Sequence, residues 1–309
     1  MKKILYFAAA AALVVFSVTS CKGKNGSDEP EDGKYVIEVT DAQYNHAGIK
    51  VTVQDTTVSY FMTAIPAADF AEYASDAAAI DSLKAMVDFY INYYNEYYKS
   101  MYEMYGMEWT EEDAYSYSDF TINGNAEGTE IGLKESTQYY EVLFELDANG
   151  KTGDKLYKKA FETPAFKATS ELKIEVEYAN GSLSFTPSNN TEKYFCSLVT
   201  EDDLSYYGFS NVTEMAEDDI TFYGDEELTE YCETGVQTFS LASLEQNGNI
   251  AAGDVCYGYA YGYANGMRTT EVFSQKFTYQ SSAAAPAHKA GRALVRPFKK
   301  QDARNLLRK

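Results

Sequence analysis

The pattern that most constrains this chain is a spacing that occurs twice. Leu133, Tyr139, the pair Asn149-Gly150 and Phe161-Glu162 are followed later by Ile250, Cys256, Asn265-Gly266 and Phe277-Thr278. The offset is 117 residues before the turn (133 to 250, 139 to 256) and 116 after it (149 to 265, 161 to 277). A register kept to within one residue over a strand, a turn and a second strand implies two copies of one hairpin. Ahead of each hairpin the same order of short alternating stretches recurs. Tyr35–Val39, Ile49–Val53 and Val58–Ile65 precede the first, and Leu172–Val176, Leu183–Phe185 and Tyr194–Leu198 precede the second, so that Tyr60-Phe61 aligns with Tyr194-Phe195. Alternation with period two marks half-buried strands, so the chain is expected to be mainly β and built as two domains. A length of 309 residues and a hydrophobic share of 45% suit two cores of that size.

Leu133, Thr137, Tyr139, the Asn149-Gly150 turn and the ending Phe161-Glu162-Thr163 resemble the last two strands of a fibronectin type III domain. That resemblance implies two tandem Ig-like sandwiches, over 35–166 and 167–282, each carrying an insertion that the plain family lacks, at 67–118 and 200–235. In the first insertion Ser75 is placed to cap a helix, and Ala77–Tyr105 contains no Gly or Pro until Gly106. Leu83, Val87, Ile91, Tyr94, Tyr98, Met101 and Tyr105 fall on one helical stripe. Tyr90, Tyr93, Tyr97 and Tyr102 lie off that stripe, and Trp109, Tyr115 and Tyr117 follow the helix. In the second insertion Ser210–Tyr223 reads as a short helix and Gly224–Glu233 as an acidic loop.

The resemblance weakens in the closing strands. Tyr139 stands where the family places a tyrosine whose hydroxyl ties back to nearby backbone. The apolar alternation, however, runs through Tyr140, Val142, Phe144 and Leu146, one residue out of phase. Since a slip of one residue exchanges the faces of a strand, either Tyr140 takes that role or a bulge intervenes. In the second copy Cys256 replaces the tyrosine and Asp254 the threonine. There Tyr257, Tyr259, Tyr261 and Tyr263 alternate with Gly258, Ala260 and Gly262, which makes one face all ring and leaves the other bare enough for close packing. Asn149-Gly150 reads as a hairpin turn with positive φ at both residues.

The termini read as an address and a tail. Lys2-Lys3, the apolar run Leu5–Phe16 and small residues after it form a signal peptide over 1–20. Val18-Thr19-Ser20-Cys21 resembles the lipobox of bacterial lipoproteins, which implies acylation of Cys21 and a partner in the membrane. The tether 21–34 is polar and acidic, and this resembles the export signal of surface-exposed Bacteroidota lipoproteins; a solvated tether facing the periplasm is the other reading. An outer-membrane protein facing the cell exterior is the expectation. Asp55-Thr56-Thr57 and Asp81-Ser82-Leu83 resemble the O-glycosylation signal of that group, at Thr56 and Ser82. Residues 283–309 hold eight Lys or Arg and one Asp, or +7, and 21–282 hold 16 basic and 46 acidic residues, or −30. That body repels phosphates, which argues against nucleic acid, and the basic tail reads as either disordered or a short amphipathic helix.

Chemistry is thin elsewhere. His46 and His288 are the only imidazoles, and no Cys-x-x-Cys pair occurs, so no metal or cofactor is expected. There is no Gly-x-Ser-x-Gly or His-Glu-x-x-His motif, and an enzyme is not expected. Glu217-Asp218-Asp219 reads as a solvated face. Cys196, Cys232 and Cys256 are either three buried thiols or, for Cys196 and Cys256 on neighbouring strands, a bridge. Two function classes remain. A binding or adhesion module would use Tyr93, Tyr97 and Trp109 as rigid amphipathic contacts, with a glycan as one candidate ligand; the other reading of those rings is that they hold the helix to its own sheet. The alternative is a structural subunit of a cell-surface assembly.

Overall fold

The computed structural model describes residues 33–281. The signal peptide 1–20, Cys21, nearly all of the tether and the tail 283–309 lie outside the described residues. The chain divides into two compact units between Phe166 and Lys167.

In the first unit, strands β1 (Tyr35–Ala42), β2 (His46–Val53) and β5 (Ala126–Ile131) form one antiparallel sheet in the order β1-β2-β5. Strands β3 (Ser59–Pro66), β4 (Ile122–Asn123), β6 (Gln138–Glu145) and β7 (Tyr157–Glu162) form the second, in the order β4-β3-β6-β7. Ile37, Ile49, Val51, Tyr60, Leu143, Tyr157 and Phe161 fill the space between them. The insertion after β3 contributes α1 (Ala67–Phe70) and the 29-residue α2 (Asp76–Met104). Ile80, Leu83 and Val87 of α2 pack on Phe61, Val142 and Phe144, which point out of the other side of β3 and β6.

The second unit repeats the plan. Strands β8 (Ile174–Ala179), β9 (Ser182–Pro187) and β11 (Gln237–Ser240) pair as β11-β9-β8, and β10 (Tyr194–Thr200) pairs with β12 (Val255–Ala264), which also holds β13 (Met267–Arg268) and β14 (Phe273–Thr278). Its core joins Leu183, Phe185 and Phe239 to Tyr194, Cys196 and Ala260. Helices α3 (Glu201–Tyr207) and α4 (Val212–Tyr231) cover the outer face of β10 and β12, while α5 (Ala242–Gln246) lies between β11 and β12 in the chain. Each unit is therefore a fibronectin type III-like sandwich with a helical layer on one sheet. Equivalent residues serve equivalent ends: the Tyr60 hydroxyl donates to Gly124 O at 3.0 Å and that of Tyr194 to Gly235 O at 2.8 Å, while Phe61 and Phe195 turn to the helices.

The helical layer resolves the phase conflict in β6. Tyr139 keeps the corner: it is buried, and its hydroxyl accepts the Lys134 N–H at 2.8 Å. Tyr140 does not take the role and no bulge intervenes, since β6 pairs without a shift with both β3 and β7. Both faces of the strand are dry, so apolar residues occupy both phases. On β12 the same logic separates rings from glycines. Tyr259, Tyr261 and Tyr263 face α3 and α4. A Cβ added at Gly258 would lie 2.7 Å from Leu183 Cδ1, and one at Gly262 would lie 2.4 Å from Thr269 Oγ1, so the bare face brings the rest of the sandwich close.

Three further expectations are corrected, and the cysteine alternative is decided for free thiols. The acidic stretch after Gly224 is helical to Tyr231, with Gly224 as a kink at φ 71°. Asn149 does not take positive φ; Gly150 does, and the first-copy turn is organised by the Asp147 carboxylate, which accepts from Asn149 N and Lys151 N at 2.8 and 2.9 Å. The second copy does adopt the two-residue form, with φ 52° at Asn265 and 75° at Gly266. Asp219 is buried rather than solvated and accepts the Tyr259 hydroxyl at 2.5 Å. Cys196 lies opposite Ala260 while Cys256 lies opposite Thr200, too far along the strands to bridge. All three described cysteines are free thiols, with Cys232 half-buried.

Candidate functional site

The aromatic excess of the first insertion is gathered into one substructure, a helix and the segment that returns along it. Ser75 starts α2 by accepting the Ala78 N–H on its hydroxyl at 3.2 Å. Gly106, at φ 67°, ends it, with Met107 N donating back to Tyr102 O at 2.8 Å. The buried helix residues are Ala79, Ile80, Leu83, Val87 and Tyr90. The sheet's cover of α2 ends at Tyr90 and Ile91; Tyr94 and Tyr98 of the expected stripe are half-buried, and Tyr105 at its end is 65% exposed.

The returning strap takes over where the sheet stops. Two short 3-10 turns, Glu111–Asp113 and Tyr117–Asp119, are each closed by a reciprocal capping box. Between them Asn95 grips the strap in both directions, donating to Tyr115 O at 3.0 Å and accepting Tyr115 N at 2.6 Å. Tyr115 is buried, with its ring 5.2 Å from Tyr94 and 5.6 Å from Tyr98. Burial and the neighbouring Tyr98 push its phenol far above the ordinary range. Phe120 packs parallel to Tyr90 and Tyr94. At the far end of the strap Tyr117 donates to Asp88 at 2.5 Å, and Lys84 pairs with the same carboxylate. The Tyr117 ring lies on Gly150, where a Cβ would approach within 2.3 Å. That glycine thus serves the strap as well as its own turn.

Tyr90, Tyr94 and Tyr98 are therefore the stripe the strap covers. The neighbouring stripe carries Phe89, Tyr93 and Tyr97, with the Phe89 and Tyr93 rings 6.1 Å apart at 17° and the Tyr93 and Tyr97 rings 6.2 Å apart at 9°. Each is braced edge-on by a ring of the covered stripe: Phe89 by Tyr90, Tyr93 by Tyr94, Tyr97 by Tyr98. Phe89 is 40% exposed, and Tyr93 and Tyr97 are half-buried. Burial raises the Tyr97 phenol, with Tyr98 and Tyr105 adding to it.

The expected trio does not converge as a trio. Tyr93 and Tyr97 stand side by side, whereas Trp109 packs edge-on against Tyr102 at 5.2 Å. Phe89, which completes the ladder, was not read from the sequence, although its place four residues before Tyr93 is the signal. Thr56 sits in an exposed turn beside Asp55, whose carboxylate accepts both the Thr57 N–H and its hydroxyl. Ser82 is exposed on α2. Among the described residues no group of three or more His, Cys, Asp or Glu is arranged to hold a metal ion, and no helix is long and apolar enough to cross a membrane.

No family model matches the chain, and no curated protein matches it. Among solved structures it is similar to a two-domain fibronectin type-III segment of chicken tenascin, at 8% identity over 81% of this chain and 99% of that one, with a TM-score of 0.22. The central fibronectin-III array of RIM-binding protein shares 6% identity over 83% of this chain and 72% of that one, with a TM-score of 0.21. Chicken CNTN1 FN1-FN3 domains share 10% over 79% and 65%, with a TM-score of 0.22. The fold assignment rests on the strand order within each unit.

Proposed function

We propose that this protein is a non-enzymatic binding module, held to the outer membrane through Cys21 and facing the cell exterior, that recognises its ligand with the braced ladder of Phe89, Tyr93 and Tyr97. The ladder is the observation that carries the reading. Aromatic side chains lose little conformational entropy on contact, and these three are braced by the stripe that the strap covers before any ligand arrives, which reduces the cost of ordering them. A glycan is the ligand class favoured, because flat, half-exposed rings with phenolic edges offer both an apolar face and hydrogen-bonding tips. Trp109 supports the strap through Tyr102 rather than meeting the ligand. Membrane attachment is supported by the lipobox-like Val18–Cys21.

Two experiments test this reading. A Cys21→Ala form of the full chain is screened on a glycan array, and saturable binding that falls at least tenfold in Tyr97→Ala, with Trp109→Phe little changed, is the expected outcome. Mass spectrometry of the native protein from membranes should show an acylated Cys21, and a free thiol there would remove the anchor. The exposed Met104, Tyr105 and Met107 at the tip of the same helix favour a second reading, an assembly subunit. A stoichiometric protein partner lost in Tyr105→Ser, with no glycan bound, would select it.

A further inference from the structure

The core of the first sandwich contains a carboxyl group that its surroundings do not accommodate as a charge. On β6, Glu141 lies between Tyr139 and Leu143, on the face that looks into the space between the sheets. It is fully buried, and neither of its carboxyl oxygens has a hydrogen-bond partner. From the opposite sheet, β5 brings Glu130 to the same space: Glu130 pairs with Ala47, itself fully buried, and shares that residue's face. A bare buried carboxylate is among the most costly groups a fold can hold, and a second carboxyl facing it from the opposite sheet adds to the cost of ionising it.

The other titratable groups facing this space are Tyr35 on β1, Tyr60 on β3, and Tyr157 and Lys159 on β7, with Tyr139 on β6 itself. Strand β2 offers none, since His46 and Lys50 occupy its other face. Tyr35 is turned to Glu145 at the far end of the sheet, and Tyr60 to Gly124 O. Burial first, and then the charge of Glu130, hold the Glu141 carboxyl well above the usual range, with no cation among the causes. Burial raises Glu130 to about 7.

We infer that Glu130 and Glu141 form a proton-operated latch between the two sheets, closed when the pair keeps its proton and released when that proton passes to solvent. The element released is β5. It is the edge of its sheet, bonded to β2 alone, and follows the returning strap, so opening it frees the C-terminal anchor of the helix and ladder. The sign follows from linkage. A carboxyl whose folded pKa is raised binds more protons folded than unfolded, so the latch holds from acid pH up to the ordinary carboxyl range and weakens as pH rises beyond it.

Hydrogen exchange of the full chain between pH 5 and pH 8, corrected for the intrinsic rate, tests this. Protection of Ala126–Ile131 should fall by up to about tenfold per pH unit for one released proton, while β8 and β9 of the second unit stay flat. Glu141→Gln should reduce the slope in β5 to the part that the burial of Glu130 alone sets, and leave the strand better protected at pH 8. A flat profile in the wild-type chain, or an unchanged slope in Glu141→Gln, overturns the latch. If Glu141→Gln does not fold, Glu130→Gln, at a half-exposed position, decides: a shallower slope supports the pair, and an unchanged one overturns it.

Discussion

Replacing Gly258 by alanine probes how the second sandwich is closed. The added methyl would stand 2.7 and 2.9 Å from the two Leu183 methyls and 3.1 Å from Val176 Cγ1. Carbon atoms in good contact are about 3.5–4.0 Å apart, so Leu183 must leave its rotamer or the sheets must separate by close to 1 Å. Overpacking of this kind costs about 1–3 kcal/mol. For a unit of about 115 residues, at about 2.1 cal/mol/K per residue, that lowers the melting midpoint by about 4–12 °C. Scanning calorimetry and near-ultraviolet dichroism on the full chain read the shift. Leu183→Ala alone removes a fully buried side chain and should cost about 2–5 kcal/mol. In the double variant the new methyl fills part of the space vacated, so the combined loss should fall short of the sum by at least about 1 kcal/mol. A Gly258→Ala midpoint equal to wild type, or additive losses, would refute the close approach of β12 to β9.

Two further outcomes follow from the same geometry. Tyr139→Phe removes the acceptor of the Lys134 N–H and should cost about 1 kcal/mol by urea denaturation, whereas Tyr140→Phe, which keeps the ring against Phe70, should be within about 0.5 kcal/mol of wild type. Burial raises the Cys232 and Cys256 thiols to about 12 and Cys196 further. An aromatic disulfide reagent at pH 8 should therefore leave these three unmodified in the native protein and titrate them in denaturant, and rapid native labelling of Cys196 or Cys256 would contradict their burial.

The strands, the Ser75 cap and the Gly106 stop were legible because each rests on local rules of period and capping. What escaped depends on neighbours distant in sequence. The phase conflict of β6 is visible locally but its cause is not: only the layer of α2 explains why Phe144 is as buried as Leu143. Helix α3 carries a local mark, the Thr200–Asp203 capping box, set beside an acidic run that imitates a loop. Gly224 and the acids after it imitate a loop, yet Leu228 is fully buried and holds that turn of helix to the sheet. Of the site, Tyr93 and Tyr97 were found by their excess over the apolar stripe. Trp109 stands apart from Tyr93 and Tyr97 because it packs on Tyr102, a pairing set by the path of the strap. Glu141 sits in an ordinary alternating strand, and nothing in the run Tyr139–Leu143 announces that both phases face protein.

The helical layers also decide what these sandwiches can offer to other molecules. A bare sheet of this kind presents a broad, nearly flat wall, suited to side-by-side stacking of neighbours. Here α2 in one unit and α3 and α4 in the other occupy that wall. In the binding module proposed above, recognition would thereby fall to a ridge rather than a plane, and a narrow ridge suits a partner with a cleft or a chain to lay along it.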